Sequence, residues 1–469
     1  MPNIMVLQYL KKTGAASPEV LMKAEAFVRQ GYQRLLTFEA KGGGFSWFGE
    51  SPANVMLTAY GLVEFAEMAK VIPIDDKLLE RTRRWLVSRR LPDGRFEESR
   101  SPHSLHVGDQ QYALTAFVTW ALLSAGASAT EVAPSMAYLM DNLDGQGDPY
   151  SLSLVLDALT LVPARRNDAL RLARRLVGEK KARGWAPRGT TLVNSRGSPG
   201  QVETTALVVL GLAALQTEPL AIRDGVQELM KAKNADGRWF TTTATVLALK
   251  ALLADQNRQP TREPYTGTVK VSVNGRPAGE VAVSEKTYDV MQLIDLKEFT
   301  RTGDHTVSIR ADLTRPQLFS TQIVATYYVP WDLPAGPLAP TTGTLNVRQT
   351  FDRTSLVVDD RVTAKVTLEL TGQASGSLVL LDLGIPPGFA VETQDLEALR
   401  TAGTISRFEL AGRQLVLYLP PLQERRPISF EYRLKARFPV RASSPPSTAY
   451  EYYNPDNRVQ IAPVPLEVK

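Results

Sequence analysis

Asp93-Gly94-Arg95-Phe96, followed by Leu114-Thr115-Ala116-Phe117, is the stretch that decides the fold, because its pattern recurs along the chain. A Gly-aromatic turn precedes a helix marked by Thr and Ala in three further places: Gly44-Phe45-Ser46-Trp47 with Leu57-Thr58-Ala59-Tyr60, Gly184-Trp185 with Thr204-Thr205-Ala206-Leu207, and Asp236-Gly237-Arg238-Trp239 with Thr243-Ala244-Thr245-Val246. A recurrence of about 50 residues predicts repeated helical pairs, none of which can bury its apolar face alone.

Residues 1–258 follow a helical pattern throughout. Apolar residues recur at intervals of three and four in 55–66 and 207–215, which is the spacing of a helical face. These segments are apolar on nearly every side, which is typical of a helix packed between others. Residues 76–90 and 167–181 are more charged and are predicted to be their outer partners. Alternating inner and outer helices predict an α/α toroid of five to six hairpins.

The pattern changes near Gln259-Pro260, after which apolar and polar residues alternate. Asn274-Gly275 separates two such runs and predicts a hairpin, because a type I′ turn needs positive φ at both central residues. Further strands are predicted at 306–310 and 321–328, and the Pro-rich residues 329–340 are predicted to be a linker. This part of the chain therefore begins a β region.

Seven short strands are predicted after the linker, at the spacing of a β-sandwich: 343–348, 361–371, 377–383, 406–411, 414–419, 428–436 and 447–453. A short helix at 395–400 interrupts them. The predicted class is multi-domain α plus β: an α/α toroid followed by a partial β-sandwich segment and a C-terminal antiparallel β-sandwich. The predicted boundaries are 1–258, 262–332 and 341–469.

Composition limits the function classes. The chain has 469 residues, of which 43% are hydrophobic and 22% charged, and is an ordinary globular chain long enough for several cores. Its formal charge of +5 comes from scattered Arg, as on Arg171, Arg174 and Arg175, which predicts a solvated face and no nucleic acid partner. No run of 18 apolar residues occurs, so no membrane span is expected. The absence of Cys excludes disulfides, thiolate metal sites and a Cys nucleophile.

Several collinear segments resemble the C-terminal part of the α2-macroglobulin and complement-type thioester proteins. They are Pro2-Asn3-Ile4-Met5-Val6-Leu7-Gln8-Tyr9-Leu10, Gly31-Tyr32-Gln33-Arg34-Leu35-Leu36, Gly43-Gly44-Phe45-Ser46-Trp47-Phe48-Gly49, Ala113-Leu114-Thr115-Ala116-Phe117, Leu383-Gly384-Ile385-Pro386-Pro387-Gly388-Phe389 and Ala449-Tyr450-Glu451-Tyr452-Tyr453-Asn454-Pro455. The resemblance implies a thioester-domain toroid with its first helix truncated, the C-terminal half of a CUB-like β domain and a receptor-binding-type macroglobulin sandwich.

The same resemblance implies a non-enzymatic fragment of an endopeptidase inhibitor. In the family, a Cys and a Gln of a Cys-Gly-Glu-Gln motif form a thioester, and a protease cuts an upstream bait region; this sequence holds neither the motif nor the bait region. The implied partners are proteases, through the full-length protein, and the missing N-terminal half. The implied location is extracellular or periplasmic, although Met1-Pro2-Asn3-Ile4-Met5-Val6-Leu7 has no signal-peptide pattern. No cofactor or metal is expected, and the lack of Cys fits a bacterial relative better than an animal one.

His103 and His106 are the candidate catalytic residues, because in some family members a His in the loop before the matching helix attacks the thioester. The competing interpretation is an ordinary surface loop. His305 is predicted to be structural. The recurring aromatics are predicted to anchor the core, with cavity lining as the alternative, and Asp76 is predicted to be a helix N-cap. The helix at 395–400 has no lysine, which argues against endocytic receptor binding.

Two other functions stay open at this point. One is an α/α-toroid enzyme, such as a terpene cyclase or a prenyltransferase, although the acidic and metal-ligand clusters of those enzymes are missing. The other is an interaction module that complements a separately encoded N-terminal half. If residues 262–332 are half of a split sandwich, their apolar face lacks its partner, and we expect hydrophobic dye binding or self-association there.

Overall fold

The helical and strand elements are taken from a computed structural model. It describes residues 1–13, 18–99, 110–234, 237–258, 265–285, 287, 291–299, 301–315, 321–325, 343–371, 378–420, 422 and 426–469. The chain divides into two compact units, one formed by residues 1–255 with 327–469 and the other by residues 256–326.

Eleven α-helices occupy the described part of the first 258 residues and are called the ring: α1 Pro2–Thr13, α2 Pro18–Leu36, α3 Val55–Ala69, α4 Asp76–Ser88, α5 Gln111–Ser124, α6 Ala133–Asp141, α7 Pro149–Thr160, α8 Arg166–Gly178, α9 Gly197–Leu215, α10 Pro219–Lys231 and α11 Thr242–Arg258. Helices α3, α5, α7 and α9 pack on one another in that order and are buried on nearly all sides. Helices α4, α8 and α10 each bury only one face, as the alternation of inner and outer helices predicted.

The threonine of each repeat explains why the sequence pattern recurs. The backbone N–H of Trp185 donates to Thr205 Oγ1 at 3.0 Å, and the same hydroxyl donates to the Trp185 carbonyl at 3.0 Å. In the other repeats, the corresponding threonine Oγ1 accepts from the backbone N–H of the aromatic residue in the turn. The pairs are Phe45 with Thr58 at 2.8 Å, Phe96 with Thr115 at 3.4 Å, and Trp239 with Thr245 at 3.0 Å. A threonine hydroxyl thus satisfies the backbone of each turn, and in the first three repeats that hydroxyl belongs to a buried residue of an inner helix.

Of the local backbone predictions for the ring, the one for the turn glycines is confirmed and the one for the N-cap of α4 is wrong. Gly94 and Gly237 adopt positive φ in their turns, as expected. The N-cap of α4 is Asp75, whose Oδ1 accepts from the Lys77 N–H at 3.0 Å, so the assignment of Asp76 was wrong by one residue.

By length and composition, α9 could cross a membrane, and 78% of its apolar window is buried inside the fold. Burial of that kind is also found in the core helix of a globular domain.

The second unit contains a three-stranded antiparallel sheet, called the open sheet. Its strands are β1 Gly267–Val273, β2 Arg276–Val283 and β3 Val307–Leu313, in the order β2-β1-β3. Asn274 and Gly275 turn β1 into β2 with φ of 50° and 79°, which confirms the predicted hairpin. Residues 321–325 form no strand, so that part of the predicted strand 321–328 was wrong, and residues 326–340 lie outside the described residues.

The C-terminal region, called the sandwich, has strands β4 Leu345–Phe351, β5 Ser355–Leu356, β6 Arg361–Leu370, β7 Val379–Gly384, β8 Phe389–Val391, β9 Arg407–Ala411, β10 Gln414–Tyr418, β11 Ile428–Ala436, β12 Val440–Ser443, β13 Ser447–Glu451, β14 Asn454–Ile461 and β15 Pro465–Val468, and helix α12 Thr393–Thr401. Its sheets have the orders β14-β13-β7-β10-β9, β4-β6-β11-β8 and β12-β15-β5. Alternate residues of β6 and β11 point into one buried cluster. All seven predicted strands and the helix are present, and β5, β8, β12, β14 and β15 were missed.

Candidate functional site at the seam between ring and sandwich

The contact between the start of α9 and β14, called the seam, joins the ring to the sandwich within the first unit. The Ser198 N–H donates to Asp456 Oδ2 at 2.7 Å, and the Ser198 hydroxyl donates to the same oxygen at 2.8 Å. The Arg196 N–H donates to the Tyr453 carbonyl at 3.1 Å. Segments more than 250 positions apart in the sequence are therefore joined by hydrogen bonds from α9 main-chain and hydroxyl donors to a carboxylate and a carbonyl of the sandwich.

The seam supplies a helix cap that the ring does not supply itself. Arg196 stands at the N-cap of α9 and makes no side-chain capping hydrogen bond. The first amides of a helix lack intrahelical partners and favour a negative charge, and Asp456 of the sandwich meets that need. Gly197 has φ of 52°, and a Cβ there would lie 2.5 Å from the Asp456 carboxylate. A glycine is therefore required for this approach.

Glu203 lies one and a half turns into α9 and is fully buried. Its Oε1 accepts from the Ser195 hydroxyl at 2.6 Å and from the Thr241 hydroxyl at 3.4 Å, while its Oε2 has no hydrogen-bond partner among the described residues. Burial raises the pKa of Glu203 to about 7, and the hydroxyls of Ser195, Thr191 and Thr241 limit that rise. A carboxyl that is neutral or charged near neutral pH therefore sits directly behind the seam.

Three tyrosines surround this carboxyl. Burial raises the pKa of Tyr60, of Tyr150 and of Tyr453, and the charge of Glu203 adds to the rise in each of them. The Tyr150 hydroxyl accepts from the Leu192 N–H at 3.3 Å and so contacts the same loop that carries Ser195. Tyr453 belongs to the sandwich, so the surroundings of Glu203 are drawn from both sides of the seam.

A cavity of about 190 Å³ lies between the inner helices. Its walls are mostly apolar and aromatic and come from Met1, α3, α5, α7, α9 and α11: Tyr60, Phe117, Trp120, Tyr150, Leu207 and Val246 are among them. Lys250 of α11 places its ammonium 5.6 Å from the centre of the Trp120 ring. Burial lowers the pKa of Lys250, and the charges of Glu67, Glu64 and Asp157 oppose that effect. Residues of five helices and Met1 therefore border one cavity.

His103 and His106 lie outside the described residues, so their role in acyl transfer stays a prediction. His305 lies in the second unit, where its Nε2 is 2.7 Å from the Arg301 carbonyl oxygen and its Nδ1 is 3.1 Å from the Asn274 amide nitrogen. These contacts hold the loop before β3 and agree with the predicted structural role.

Of the recurring aromatics, Phe45, Trp185 and Trp239 are core anchors, whereas Trp47 is only half-buried. Trp185 and Trp239 are almost completely buried, and their indole N–H groups donate to the carbonyls of Leu176 and Leu229 at 2.6 Å. Neither of them lines the cavity. Within the described ranges, no group of three or more His, Asp or Glu residues is arranged to hold a metal ion.

Glu203, Lys250 and the seam were missed by the sequence analysis. Glu203 had a usable signal, since it is the one acidic residue in a 19-residue helix that is otherwise apolar or uncharged. Buried carboxyls of that kind are usually hydrogen-bonded and often functional. The seam had none, because Ser198 and Asp456 are 258 positions apart.

Two family models match the chain in the order in which these regions occur. The model described as the A-macroglobulin TED domain matches residues 1–254, more than half of the chain, and the A-macroglobulin receptor binding domain matches residues 374–462. The chain belongs to the α-macroglobulin family. The first match covers nearly the whole ring, and the second covers most of the sandwich, so the seam of this α-macroglobulin chain joins the two matched regions.

Curated relatives agree with this membership. The chain is 26% identical over 476 residues to thioester-containing protein 1 allele S1 of Anopheles gambiae, covering 97% of this chain and 33% of the mosquito protein. It is 25% identical over 477 residues to ovostatin of Gallus gallus, covering 96% of this chain and 31% of ovostatin. The chain therefore spans about a third of the length of these relatives.

Solved structures share the fold. Native α2-macroglobulin of Escherichia coli, spanning domain MG7 to the C-terminus, has a TM-score of 0.59 at 16% identity, with 96% of this chain and 68% of that chain covered. Salmonella α2-macroglobulin reacted with methylamine has a TM-score of 0.58 at 17% identity, with 97% and 28% covered. The predicted class of α plus β is confirmed by this likeness.

Proposed function

We propose that this chain is the C-terminal part of an endopeptidase inhibitor of the α-macroglobulin type and acts there as a binding and structural module. The observation that carries the proposal is the seam, in which the two regions that match the family are joined by Asp456, Ser198 and Arg196. The chain has no Cys, so it supplies no thioester of its own. In this proposal, the reactive chemistry and the bait region belong to the part of the longer protein that precedes the ring.

We assign three domains with the boundaries 1–258, 262–332 and 341–469. The end of α11 at Arg258, the open sheet within 267–313 and the sandwich strands within 345–468 support this division. The open sheet is assigned as the C-terminal half of a CUB-like domain whose other strands come from the longer protein. Proteases and the N-terminal part of the same protein are the partners that this proposal implies, in an extracellular or periplasmic location.

The test compares this chain with a longer protein that includes the coding region upstream of it. If that region encodes a Cys-Gly-Glu-Gln motif, we expect the longer protein to form a denaturant-resistant covalent adduct with an endopeptidase that cuts it. Methylamine, which opens thioesters, should add its mass to the longer protein and abolish the adduct. A variant of the longer protein with the motif Cys replaced by Ala is the matched control and should do neither.

This chain alone should keep its mass in methylamine and form no adduct. A mass increase in this chain would contradict the assignment of the reactive group to the longer protein. If the longer protein carries the motif and binds methylamine but still cleaves like an ordinary protease substrate, the inhibitor function is wrong. If a stop codon separates the two regions, binding between this chain and the separately produced upstream part, measured by calorimetry, tests the alternative of a complementing module.

A further inference from the structure

The buried carboxyl behind the seam is unused by the proposed function, yet it is connected to the seam by a short chain of hydrogen bonds. Ser195 donates its hydroxyl to Glu203 Oε1 at 2.6 Å, and its own N–H is held by the Thr191 hydroxyl at 3.1 Å. The next residue, Arg196, donates its N–H to the sandwich. Glu203 is therefore linked through Ser195 to the loop whose next residue bonds to the sandwich.

We propose that Glu203 is a positioning residue that couples docking of the sandwich to its own protonation: the neutral carboxyl keeps the sandwich docked on the ring, and the ionised carboxylate loosens it. The physical reason lies in the surroundings of the carboxyl. Its Oε2 has no partner in the described part of the chain, so a negative charge there stays unsolvated until the seam opens to water.

In the described part of the chain, the groups found to interact with Glu203 include no positive charge. They are Ser195 and Thr191 from the loop, Thr241 before α11, Tyr60 of α3, Tyr150 of α7 and Tyr453 of the sandwich. The hydroxyls lower the pKa of Glu203 but less than burial raises it, so the net direction is upward. A further carboxylate, that of Asp456 in β14, accepts hydrogen bonds from the first turn of α9.

The direction of the pH effect follows from linkage. The pKa of Glu203 is about 7 in the docked fold against an ordinary value of 4.5, so the docked state binds the proton more tightly than an exposed carboxyl does. The contribution of Glu203 to docking is then fully present below about pH 4.5, is lost as the pH rises towards about 7, and stays absent above it. The largest change that such a shift supports is of the order of 100-fold in the docking equilibrium.

Hydrogen exchange of the peptide around the seam tests this on the full chain. The Arg196 and Ser198 N–H groups donate to the sandwich, so their protection from exchange reports docking. After correction for intrinsic rates, we expect their protection to fall at least about 10-fold between about pH 5 and about pH 8. In Glu203→Gln, which keeps the shape of the neutral carboxyl, protection should stay high at both pH values.

Asp157→Asn is the matched control. Asp157 is also a buried ring carboxyl whose pKa is raised, chiefly by burial, but it lies on α7, where the charged group that acts on it is Lys250 rather than any group of the seam. It should keep the wild-type fall in protection. If the wild type shows no fall, or if the two variants behave alike, the proposal is overturned.

Ser195→Ala gives a second readout that a purely structural role would not move. Loss of this hydroxyl removes an interaction that lowers the pKa of Glu203, so the pH midpoint of the fall should move upward. An unchanged or lower midpoint in a folded Ser195→Ala protein would overturn the proposal. Fluorescence of the buried Trp185 and Trp239 checks that each variant has kept the ring.

Discussion

The sandwich and the open sheet are both antiparallel β structures from one chain, yet only one of them is closed. In the sandwich, β6 and β11 turn alternate side chains into a cluster from which water is excluded, and Leu381 and Leu434 are fully buried. In the open sheet, β1 buries Val271 and Val273, but β3 has no buried residue, and Met291 and Leu293, which lie between β2 and β3 in the sequence, are 88% and 91% exposed. A strand pattern therefore predicts a sheet, but the partner layer decides whether that sheet has a core.

The two regions also differ in their attachment. The Asp456 carboxylate of the sandwich accepts hydrogen bonds from Ser198, 258 positions earlier, in the first turn of α9. The open sheet forms a compact unit of its own, and β2 and β3 are its edges among the described strands. Unpaired edges and an apolar face are liabilities in an isolated domain. The comparison thus sets a β region that hydrogen-bonds to another part of its own unit against one whose described strands form a unit by themselves.

The largest effect should come from truncating matched apolar residues in the two regions. Leu381→Ala in β7 removes atoms from a closed core and should cost about 2–5 kcal/mol. Ile309→Ala in β3, where 36% of the side chain is already exposed, should cost below about 1 kcal/mol. Local unfolding free energies from native-state hydrogen exchange are the appropriate measurement, since a chain of several units does not unfold in two states. Equal costs would mean that the open sheet has a core of its own.

Much of this fold could be predicted from the sequence, because the signals were local. The Thr of each Thr-Ala helix and the aromatic of each turn lie 6 to 20 positions apart and hydrogen-bond directly. Strand β14 was missed because Asn454-Pro455-Asp456-Asn457 is typical of a turn, and only pairing with β13 makes it a strand. The seam depends on that same strand, so a site built from distant segments was out of reach of pattern analysis.

A smaller effect is expected when exposed apolar residues are made polar in the second unit. Met291, Leu293 and Ile323 are all exposed, and changing the three to Ser should reduce fluorescence of a hydrophobic dye at least about two-fold. It should also lower any concentration-dependent self-association seen by sedimentation. Met22, Phe48 and Leu220 of the ring are similarly exposed but scattered, and their Ser variants are the matched control. Dye binding that falls only in the ring variant, or a wild type that binds no dye, would refute an open apolar face.

The smallest effect concerns charges across neighbouring strands. In the open sheet, Lys270 of β1 stands directly opposite Arg310 of β3, a like-charged pair. In the sandwich, Lys365 of β6 stands opposite Glu431 of β11, with 3.7 Å between Nζ and Oε1. Opposite charges in such positions are favourable and like charges unfavourable by about 0.2–1 kcal/mol. Arg310→Glu should therefore stabilise the open sheet by about that amount, and Glu431→Lys should destabilise the sandwich by a similar amount.

Salt separates this charge effect from packing. Both pairs are exposed, so the two changes should shrink towards zero at about 1 M salt, where the screening length is roughly 3 Å. Arg310→Gln removes the repulsion without adding an attraction and should give an intermediate gain in hydrogen-exchange protection of β1. If Arg310→Glu lowers that protection instead, Arg310 serves a contact other than the repulsive one.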